Sequence, residues 1–282
     1  MERVSVIGAG TMGRGIAQVS ALAGYRVILY DVTGEILEGA GSQLATSIQK
    51  GVNLGQTPEE IARRALEAIH YTTQLEVAAA ADLVIEAAPE RFDLKREIFQ
   101  SLDELAAENT ILASNTSSLS INALAGATSR GDRFLGLHFF NPPHLMKLVE
   151  LIRSDDTSEV TIAEAVAYVA KLDKTAIHCR DTPAFVVNRV ARPFYGEALR
   201  LLGEGAASVE EIDQLIRSAG FPMGPFELID LVGCDVNLAV TKSVFDATFQ
   251  DPKYRPHPIQ RRMVESGRLG RKTGRGFYRY GS

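Results

Sequence analysis

The feature that most constrains the fold is a glycine-rich turn near the start of the chain. A short apolar run, Val4 to Ile7, leads into the sequence GAGTMG, and a stretch with helical apolar spacing follows. A GxGxxG sequence between a strand and a helix is typical of a βαβ unit that binds a dinucleotide. Gly8 permits the tight turn, Gly10 lets the backbone approach the pyrophosphate, and Gly13 permits close packing of helix on strand. The sequence therefore predicts a doubly wound, parallel α/β sheet here.

The residues after this turn indicate which dinucleotide binds. Thr11 and Met12 open the predicted helix, whose free N–H groups and positive dipole end attract phosphate. Asp31 ends the second predicted strand, where a carboxylate can accept hydrogen bonds from both hydroxyls of the adenosine ribose. A phosphorylated ribose would be repelled there, and Val32 and Thr33 offer no positive charge to offset the repulsion. NAD is therefore predicted in preference to NADP.

Patterns further along the chain indicate two domains. Up to Thr182, short apolar runs alternate with helix-like stretches, whereas only helix-like patterns follow Pro183. We therefore predict a Rossmann-type NAD-binding domain over residues 1–183 and a mainly α-helical domain over 184–282, with one large α/β domain as the alternative. The predicted strands are Arg3–Gly8, Arg26–Tyr30, Leu83–Ala87, Ile111–Ser114, Phe134–Phe139 and Lys147–Ile152, and the predicted helices beyond the boundary are 186–203, 208–219 and 235–249.

Local signals predict two helix starts and one buried helix face. Thr57 is expected as an N-cap, with Pro58 at the first helical position and Glu60 three residues after the cap. Ser208 and Glu211 are spaced as a capping box that opens a second helix. Another helix, after Glu90, is predicted to face the sheet through Leu94, Ile98, Leu102 and Leu105.

Composition argues against several kinds of partner. The formal net charge of −5 disfavours binding to nucleic acids or membranes through overall charge, so an anionic ligand must meet a local site. Cys179 and Cys234 are the only cysteines and lack the spacing of a disulfide framework or a zinc site. We therefore predict no metal and expect a reducing cytoplasm. The start of the chain lacks the pattern of a signal peptide, and no apolar run approaches the length of a membrane span.

One of the five histidines is the best candidate for a catalytic base. His138 ends the apolar run that begins at Phe134, so it should emerge at the carboxyl end of a strand, where open α/β sheets bind ligands. Histidine has an ordinary pKa of about 6.5, which suits removal of a hydroxyl proton. A buried structural histidine is the alternative when His138 is taken alone. The other histidines, which lack this placement, are His70, His144, His178 and His257.

Three polar residues complete the candidate site. Glu150 lies among apolar residues of the next predicted strand, where a histidine could be its partner and the carboxylate would fix the ring tautomer; an edge-strand surface carboxylate is the alternative. Ser117, in a polar segment after another strand, offers a short donor. It could also be a hydrolytic nucleophile with His138 and Glu150, but the GxSxG of a nucleophile elbow is absent. The local sequence around Asn188 is typical of a helix N-cap or of a polar residue within a helix.

The chain resembles the family of (3S)-3-hydroxyacyl-CoA dehydrogenases, including the bacterial 3-hydroxybutyryl-CoA dehydrogenases, from Val4 to Tyr278. The blocks that carry the resemblance are GAGTMGRGIAQ, ASNTSSLSI, GLHFFNPPHLMKLVE, DTPAFVVNR, AGFPMGPFELIDLVG and GRKTGRGFYRY. The resemblance implies a Rossmann-type NAD domain followed by a helical domain for dimerisation, with the acyl-CoA substrate in the cleft between them. It also implies His138 as the base, Glu150 as its orienting partner, and Ser117 and Asn188 as donors to substrate oxygens.

Further contacts follow from the same resemblance. They are cofactor contacts at Glu90, Lys95, Asn115, Asn141 and Lys272, and CoA contacts at Ser47 and Lys50. The sequence departs from the family where Asn53 and Leu54 stand in place of a further CoA-contacting lysine, and where Pro143 and His144 follow Asn141-Pro142. Two other functions stay open as alternatives: a noncatalytic, crystallin-like protein that binds NAD, and an NAD-dependent dehydrogenase of a free hydroxy acid.

Overall fold

An eight-stranded sheet organises the first part of the chain. The structure, a computed structural model, describes residues 1–281, and the sheet has the strand order β3-β2-β1-β4-β5-β6-β7-β8. The first six strands in this spatial order, β3-β2-β1-β4-β5-β6, run parallel, as in a dinucleotide-binding sheet. In contrast, β7 is antiparallel to β6, and β8 is parallel to β7. The predicted fold class is therefore confirmed. The strands are β1 (Arg3–Ile7), β2 (Arg26–Tyr30), β3 (Ile69–Thr72), β4 (Leu83–Glu86), β5 (Ile111–Ser114), β6 (Phe134–Phe139), β7 (Leu148–Arg153) and β8 (Thr175–Arg180).

The inner strands form from near-continuous apolar runs because helices cover the sheet. Every residue of β4, β5 and β6 is buried. Such runs are expected where both faces of a parallel sheet are covered. The helices of this part are α1 (Thr11–Leu22), α2 (Gly34–Asn53), α3 (Glu59–Glu67), α4 (Leu75–Ala79), α5 (Phe92–Leu105), α6 (Ile121–Ala125) and α7 (Glu159–Lys171).

Two helix predictions need correction. The N-cap of α3 is Pro58, which has an extended backbone, so Thr57 lies outside the helix. The buried face of α5 is shifted by one residue from the predicted stripe: Lys95, Phe99 and Leu102 are buried, whereas Leu105 is 42% exposed. Apolar spacing alone could not predict that Lys95 lies on the buried face, because a pattern of this kind assigns every lysine to the exposed face.

The chain divides into two compact units, Met1–Thr182 and Pro183–Ser282. The second unit is helical, as predicted, and the capping box of Ser208 and Glu211 is confirmed by hydrogen bonds of 2.8 and 3.2 Å. Its helices are α8 (Val187–Gly203), α9 (Val209–Ser218), α10 (Pro225–Val232), α11 (Cys234–Ala247) and α12 (Pro258–Glu265). Across residues 1–281, no helix has the length and apolar character required to cross a membrane.

A buried carboxylate on α10 anchors the last residues of the chain. The carboxylate of Asp230 accepts hydrogen bonds from the backbone N–H of Phe277 at 3.0 Å and of Tyr278 at 2.9 Å. The hydroxyl of Tyr280 donates to the same carboxylate at 3.0 Å. A β-carbon on Gly276 would lie 2.0 Å from Asp230, so only glycine fits there. The GRGFYRY segment therefore has a structural role within the second unit.

Candidate active site

The glycine turn lies between β1 and α1, at the carboxyl edge of the sheet. Gly8 has a φ of +104°, a conformation that favours glycine. A β-carbon on Gly13 would lie 1.7 Å from the carbonyl oxygen of Gly8, so only glycine lets α1 approach the turn so closely. A β-carbon on Gly10 would meet no atom within 4 Å. The turn therefore leaves open space above the backbone of Gly10, which a ligand can approach.

The N-terminus of α1 is suited to an anionic ligand. Gly10 caps the helix without a side-chain hydrogen bond, and the first turn, which begins with Thr11 and Met12, contains no acidic residue. Its N–H groups and dipole are therefore available to phosphate oxygens. The carboxylate of Asp31 lies beside this turn, since one of its oxygens accepts the N–H of Ala9 at 2.7 Å. Together these residues fit the pyrophosphate and the adenosine ribose of NAD.

His138 and Glu150 form a buried pair across two neighbouring strands. They are directly opposite each other in the antiparallel register of β6 and β7, and His138 Nδ1 lies 2.7 Å from Glu150 Oε2. The side chains are 8% and 0% exposed. Because β7 pairs with both β6 and β8, Glu150 is not a surface carboxylate on an edge strand. The pair directs Nδ1 of the ring toward the carboxylate and Nε2 to the opposite side.

Ser117 lies in the turn after β5, where Glu90 holds it. Glu90 Oε1 accepts hydrogen bonds from the backbone N–H of Ser117 at 2.9 Å and from its hydroxyl at 3.1 Å. The hydroxyls of Thr116 and Ser118 donate to the same oxygen at 2.6 and 3.2 Å. Burial alone would raise the pKa of Glu90, but the charge of Lys95 and these hydrogen bonds hold it below its ordinary value. Glu90 is therefore an ionised anchor for this turn.

A second buried ion pair supports Glu90. The ammonium of Lys95 donates to Glu86 Oε1 at 2.6 Å and to the carbonyl of Ala88 at 3.1 Å, and it lies 3.4 Å from Glu90 Oε2. The other oxygen of Glu86 accepts the hydroxyl of Ser114 at 2.7 Å. Burial raises the pKa of Glu86, and the charge of Lys95 opposes that rise. Sequence reasoning missed Glu86 and its ion pair with Lys95; the role of Lys95 as a cofactor contact stays a prediction.

The other predicted contacts of the first unit lie on separate elements. Asn115 follows β5, and its side-chain oxygen accepts the backbone N–H of Phe139 at 2.9 Å. This bond ties the turn after β5 to the end of β6. Asn141 is exposed two residues beyond β6. Ser47 and Lys50 lie on α2, where Ser47 is half-buried and Lys50 is exposed.

Two predicted site residues belong to the second unit. Asn188 is the second residue of α8 and is half-buried; the N-cap of that helix is Val186, so Asn188 is not a cap. The ammonium of Lys272 donates to Asp235 at 2.7 Å. Each side chain is therefore placed by the local structure of its own unit.

Comparison with known proteins gives the family. Residues 3–182 match the family described as 3-hydroxyacyl-CoA dehydrogenase, NAD binding domain, and residues 185–280 match its C-terminal domain. The chain belongs to the 3-hydroxyacyl-CoA dehydrogenase family. The predictions of an NAD-dependent oxidoreductase and of NAD as its cofactor are thereby confirmed. The family's NAD-binding domain is the one that contains the glycine turn and Asp31.

Individual 3-hydroxyacyl-CoA dehydrogenases are similar over almost all of this chain. The 3-hydroxyadipyl-CoA dehydrogenase of Escherichia coli (strain K12) is 44% identical over 99% of this chain, which spans only 59% of that protein. The 3-hydroxybutyryl-CoA dehydrogenase of Bradyrhizobium diazoefficiens is also 44% identical, with 99% of this chain and 96% of that protein covered. The crystal structure of (S)-3-hydroxybutyryl-CoA dehydrogenase from Ralstonia eutropha superposes with a TM-score of 0.95 at 44% identity and covers 100% of both chains.

Proposed function

We propose that this protein oxidises the hydroxyl of a (3S)-3-hydroxyacyl-CoA, with 3-hydroxybutyryl-CoA as the first candidate, to the 3-oxoacyl-CoA, and that it also catalyses the reverse reaction. The observation that carries the proposal is the buried pair of His138 and Glu150 at the same edge of the sheet as the glycine turn. Open α/β sheets bind ligands at that edge. Relatives named 3-hydroxybutyryl-CoA dehydrogenase support this substrate class, although the first relative acts, by its name, on a 3-hydroxyadipyl thioester.

His138 acts as the general base in this proposal. Because its Nδ1 faces Glu150, Nε2 accepts the proton of the 3-hydroxyl group. The carboxylate fixes this tautomer and stabilises the imidazolium that forms. The glycine turn and Asp31 would hold NAD, which when bound would supply the hydride acceptor for C3. In the reverse direction, the imidazolium returns the proton to the 3-oxo group.

Ser117 and Asn188 are the proposed donors to the oxygen that gains negative charge. Ser117 can redirect its hydroxyl from Glu90 to the substrate, since Glu90 keeps the backbone N–H of Ser117 and the hydroxyl of Thr116 as donors. Glu90 fixes the position of the Ser117 turn, and a donor at a fixed position stabilises a developing oxyanion. We also propose that residues 184–282 serve substrate binding and dimerisation. Light scattering of the purified protein tests the dimer.

The decisive experiment measures NADH oxidation with acetoacetyl-CoA, with acetoacetyl-pantetheine and with free acetoacetate. We expect turnover of the thioesters with NADH, and a decrease in kcat of about 10²- to 10⁴-fold in His138→Gln. Histidine at position 257 provides a matched control, since it caps α12 in the second unit, and His257→Gln should keep its kcat.

Each alternative function predicts a different result in this assay. Turnover of free acetoacetate alone would move the assignment to a free hydroxy acid. Tight NADH binding without turnover of any substrate would favour the noncatalytic protein. An unchanged kcat in His138→Gln would overturn the proton-transfer role.

A further inference from the structure

An arginine is buried in the second unit without an anionic partner. Arg192 lies on α8 and is 6% exposed. Its Nη1 donates to the backbone carbonyl of Asn237 at 3.1 Å and to the hydroxyl of Thr241 at 3.0 Å, and its Nε donates to the carbonyl of Asn188 at 3.3 Å. The guanidinium also lies 4.9 Å from the ring centre of Tyr195. All these partners are uncharged, and no carboxylate in the described part of the chain pairs with Arg192.

A buried guanidinium of this kind lacks both the solvation of water and a counterion. Buried charges in proteins are normally paired, and carbonyl, hydroxyl and aromatic contacts orient a cation without neutralising it. Accordingly, burial lowers the pKa of Arg192. Its Nη2 makes no hydrogen bond to any residue that the structure describes. An anion bound to Nη2 would therefore supply the missing counterion.

A small cavity opens beside Arg192 and carries further positive charge. Its volume is about 10 Å³, roughly the space of one water molecule or one carboxylate oxygen. Two more basic residues, Lys253 and Arg255, line the cavity and are exposed, and none of the lining residues is acidic. The cavity therefore combines one buried guanidinium with two basic side chains that are open to solvent.

A second buried donor without a partner lies in the same hydrogen-bond cluster. The side chain of Asn237 is 1% exposed, and its oxygen accepts the amide of Gln260 at 2.7 Å, whereas its Nδ2 has no partner. The Gln260 amide also lies 3.4 Å from the hydroxyl of Thr241, which accepts the guanidinium of Arg192. The orientation of Gln260 is fixed, because its oxygen accepts the N–H of His257 at 2.9 Å. Buried donors are normally satisfied, so this cluster indicates a ligand with acceptor oxygens.

The position of Arg192 on α8 indicates which anion fits. Asn188, the proposed donor to a substrate oxygen, lies one turn before Arg192, and residues four apart share one face of a helix. One helical turn is about 5.4 Å long. In a 3-hydroxyacyl chain of six carbons, a carboxylate at C6 is three bonds beyond C3, which is a similar length. A substrate whose oxygen contacts Asn188 can therefore place such a carboxylate at Arg192.

We propose that Arg192 binds the terminal carboxylate of a 3-hydroxydicarboxylyl-CoA, a thioester with a second acid group at the far end of its acyl chain. The proposal rests on the proposed function and extends its substrate class. The planar guanidinium matches the geometry of a carboxylate, and Nη2 is the donor that is available. The unpartnered Nδ2 of Asn237 is a second donor in the same cluster. An acyl chain that ends in a methyl group leaves the guanidinium without its counterion.

The test compares two thioesters of equal length, 3-oxoadipyl-CoA and 3-oxohexanoyl-CoA, which have a carboxylate and a methyl group at C6. In the native protein, kcat/KM with NADH should be about ten- to hundred-fold higher for 3-oxoadipyl-CoA, the range expected for a hydrogen bond between charged groups. Arg192→Met should abolish this preference, and Arg192→Lys should retain part of it. Because the preference is a ratio measured on one protein, a general loss of activity cancels.

A matched control and the native protein itself keep this test decisive. Arg268→Met removes an exposed positive charge of the same unit and should keep the native ratio. Equal kcat/KM for the two thioesters in the native protein would overturn the carboxylate site without any variant. An unchanged ratio in Arg192→Met would overturn it too. If light scattering then showed that this variant no longer forms a dimer, the counterion of Arg192 would belong to a second copy of the chain.

Equilibrium binding keeps the two proposals separate. Adipyl-CoA and hexanoyl-CoA have no 3-oxo group and cannot be reduced at C3, so calorimetry with them measures the carboxylate site without turnover. Adipyl-CoA should bind the native protein at least about ten-fold more tightly than hexanoyl-CoA, and Arg192→Met should bind both equally. Equal affinities in the native protein would overturn the carboxylate site and leave the proposed reaction standing. Absence of turnover of every thioester, with the difference in affinity intact, would overturn only the proposed reaction.

Discussion

Replacement of Lys95 by methionine tests how the buried charges next to the Ser117 turn are held. The ammonium is 1% exposed and contacts Glu86, which is 0% exposed, and Glu90. Methionine fills much of the same space but leaves both carboxylates without this charge. Loss of one partner of a buried ion pair costs about 3–5 kcal/mol, a large part of the roughly 5–15 kcal/mol that stabilises a typical protein. We expect a decrease of that size in the free energy of unfolding at pH 7, measured with urea.

The size of this decrease should depend on pH. Burial already raises the pKa of Glu86, and the variant removes the charge that opposes the rise. A carboxyl group with a higher pKa in the folded state binds more protons when folded, so stability falls as the pH rises from the unfolded pKa to the folded pKa. The difference between Lys95→Met and the native protein should therefore be larger at pH 8 than at pH 5. A Glu86→Gln/Lys95→Met double variant should lose most of that pH dependence.

Kinetic constants distinguish this positioning role from a direct contact with the cofactor. If Lys95 acts through Glu90 and the Ser117 turn, Lys95→Met should lower kcat with acetoacetyl-CoA, and Lys95→Arg should restore part of it. A variant with the native urea midpoint and only a raised KM for NADH would refute the reasoning from the buried pair. That result would instead support Lys95 as a cofactor contact.

Four further predictions follow from single contacts. Glu150→Gln should lower kcat by about 10²- to 10⁴-fold, because an amide no longer stabilises the imidazolium and can leave the ring in the wrong tautomer; stopped-flow NADH oxidation measures this. Asp31→Ser should raise the ratio of kcat/KM for NADPH over NADH by about ten-fold, or 1.4 kcal/mol of repulsion removed, and an unchanged ratio would contradict the ribose contact. Gly13→Ala should reduce the free energy of unfolding by about 3 kcal/mol through its clash with Gly8, seen as a lower urea midpoint. Asp230→Asn should release the last residues of the chain, and limited proteolysis should then cleave them faster.

The sequence predicted the inner strands well because their apolar runs are buried on both faces. It did not predict β3, whose four residues include only one buried side chain, Ile69. That strand forms because β2 offers it a free edge for pairing, a tertiary effect that local pattern does not contain. The short helices α10 and α12 were also missed, and both begin with proline after a polar or glycine cap. Their Pro225 and Pro258 at the first helical position were the available signals.

The candidate site was predictable to different degrees for different residues. The glycine turn depends on local conformation, so the roles of its glycines could be derived from their spacing. The role of Asp31 could be derived because it lies at the end of a predicted strand. The interior position of Lys95 could not be derived, because it depends on an ion pair with Glu86 that forms only when α5 packs on β4. Glu86 ends a strand whose other residues are apolar. It was the one signal in the sequence that a buried, positively charged partner was needed.

The pairing of His138 with Glu150 depends on the one reversal of direction in the sheet. The parallel strands of this sheet all have their carboxyl ends at one edge. A further parallel strand would therefore place only its last residues at that edge. Because β7 is antiparallel to β6, its first residues lie at this edge, and Glu150, its third residue, comes opposite His138. A slip of one residue in that register would turn the carboxylate to the other face of the sheet. The reversal between β6 and β7, made by the loop of residues 140–147, therefore positions the proposed base and its partner.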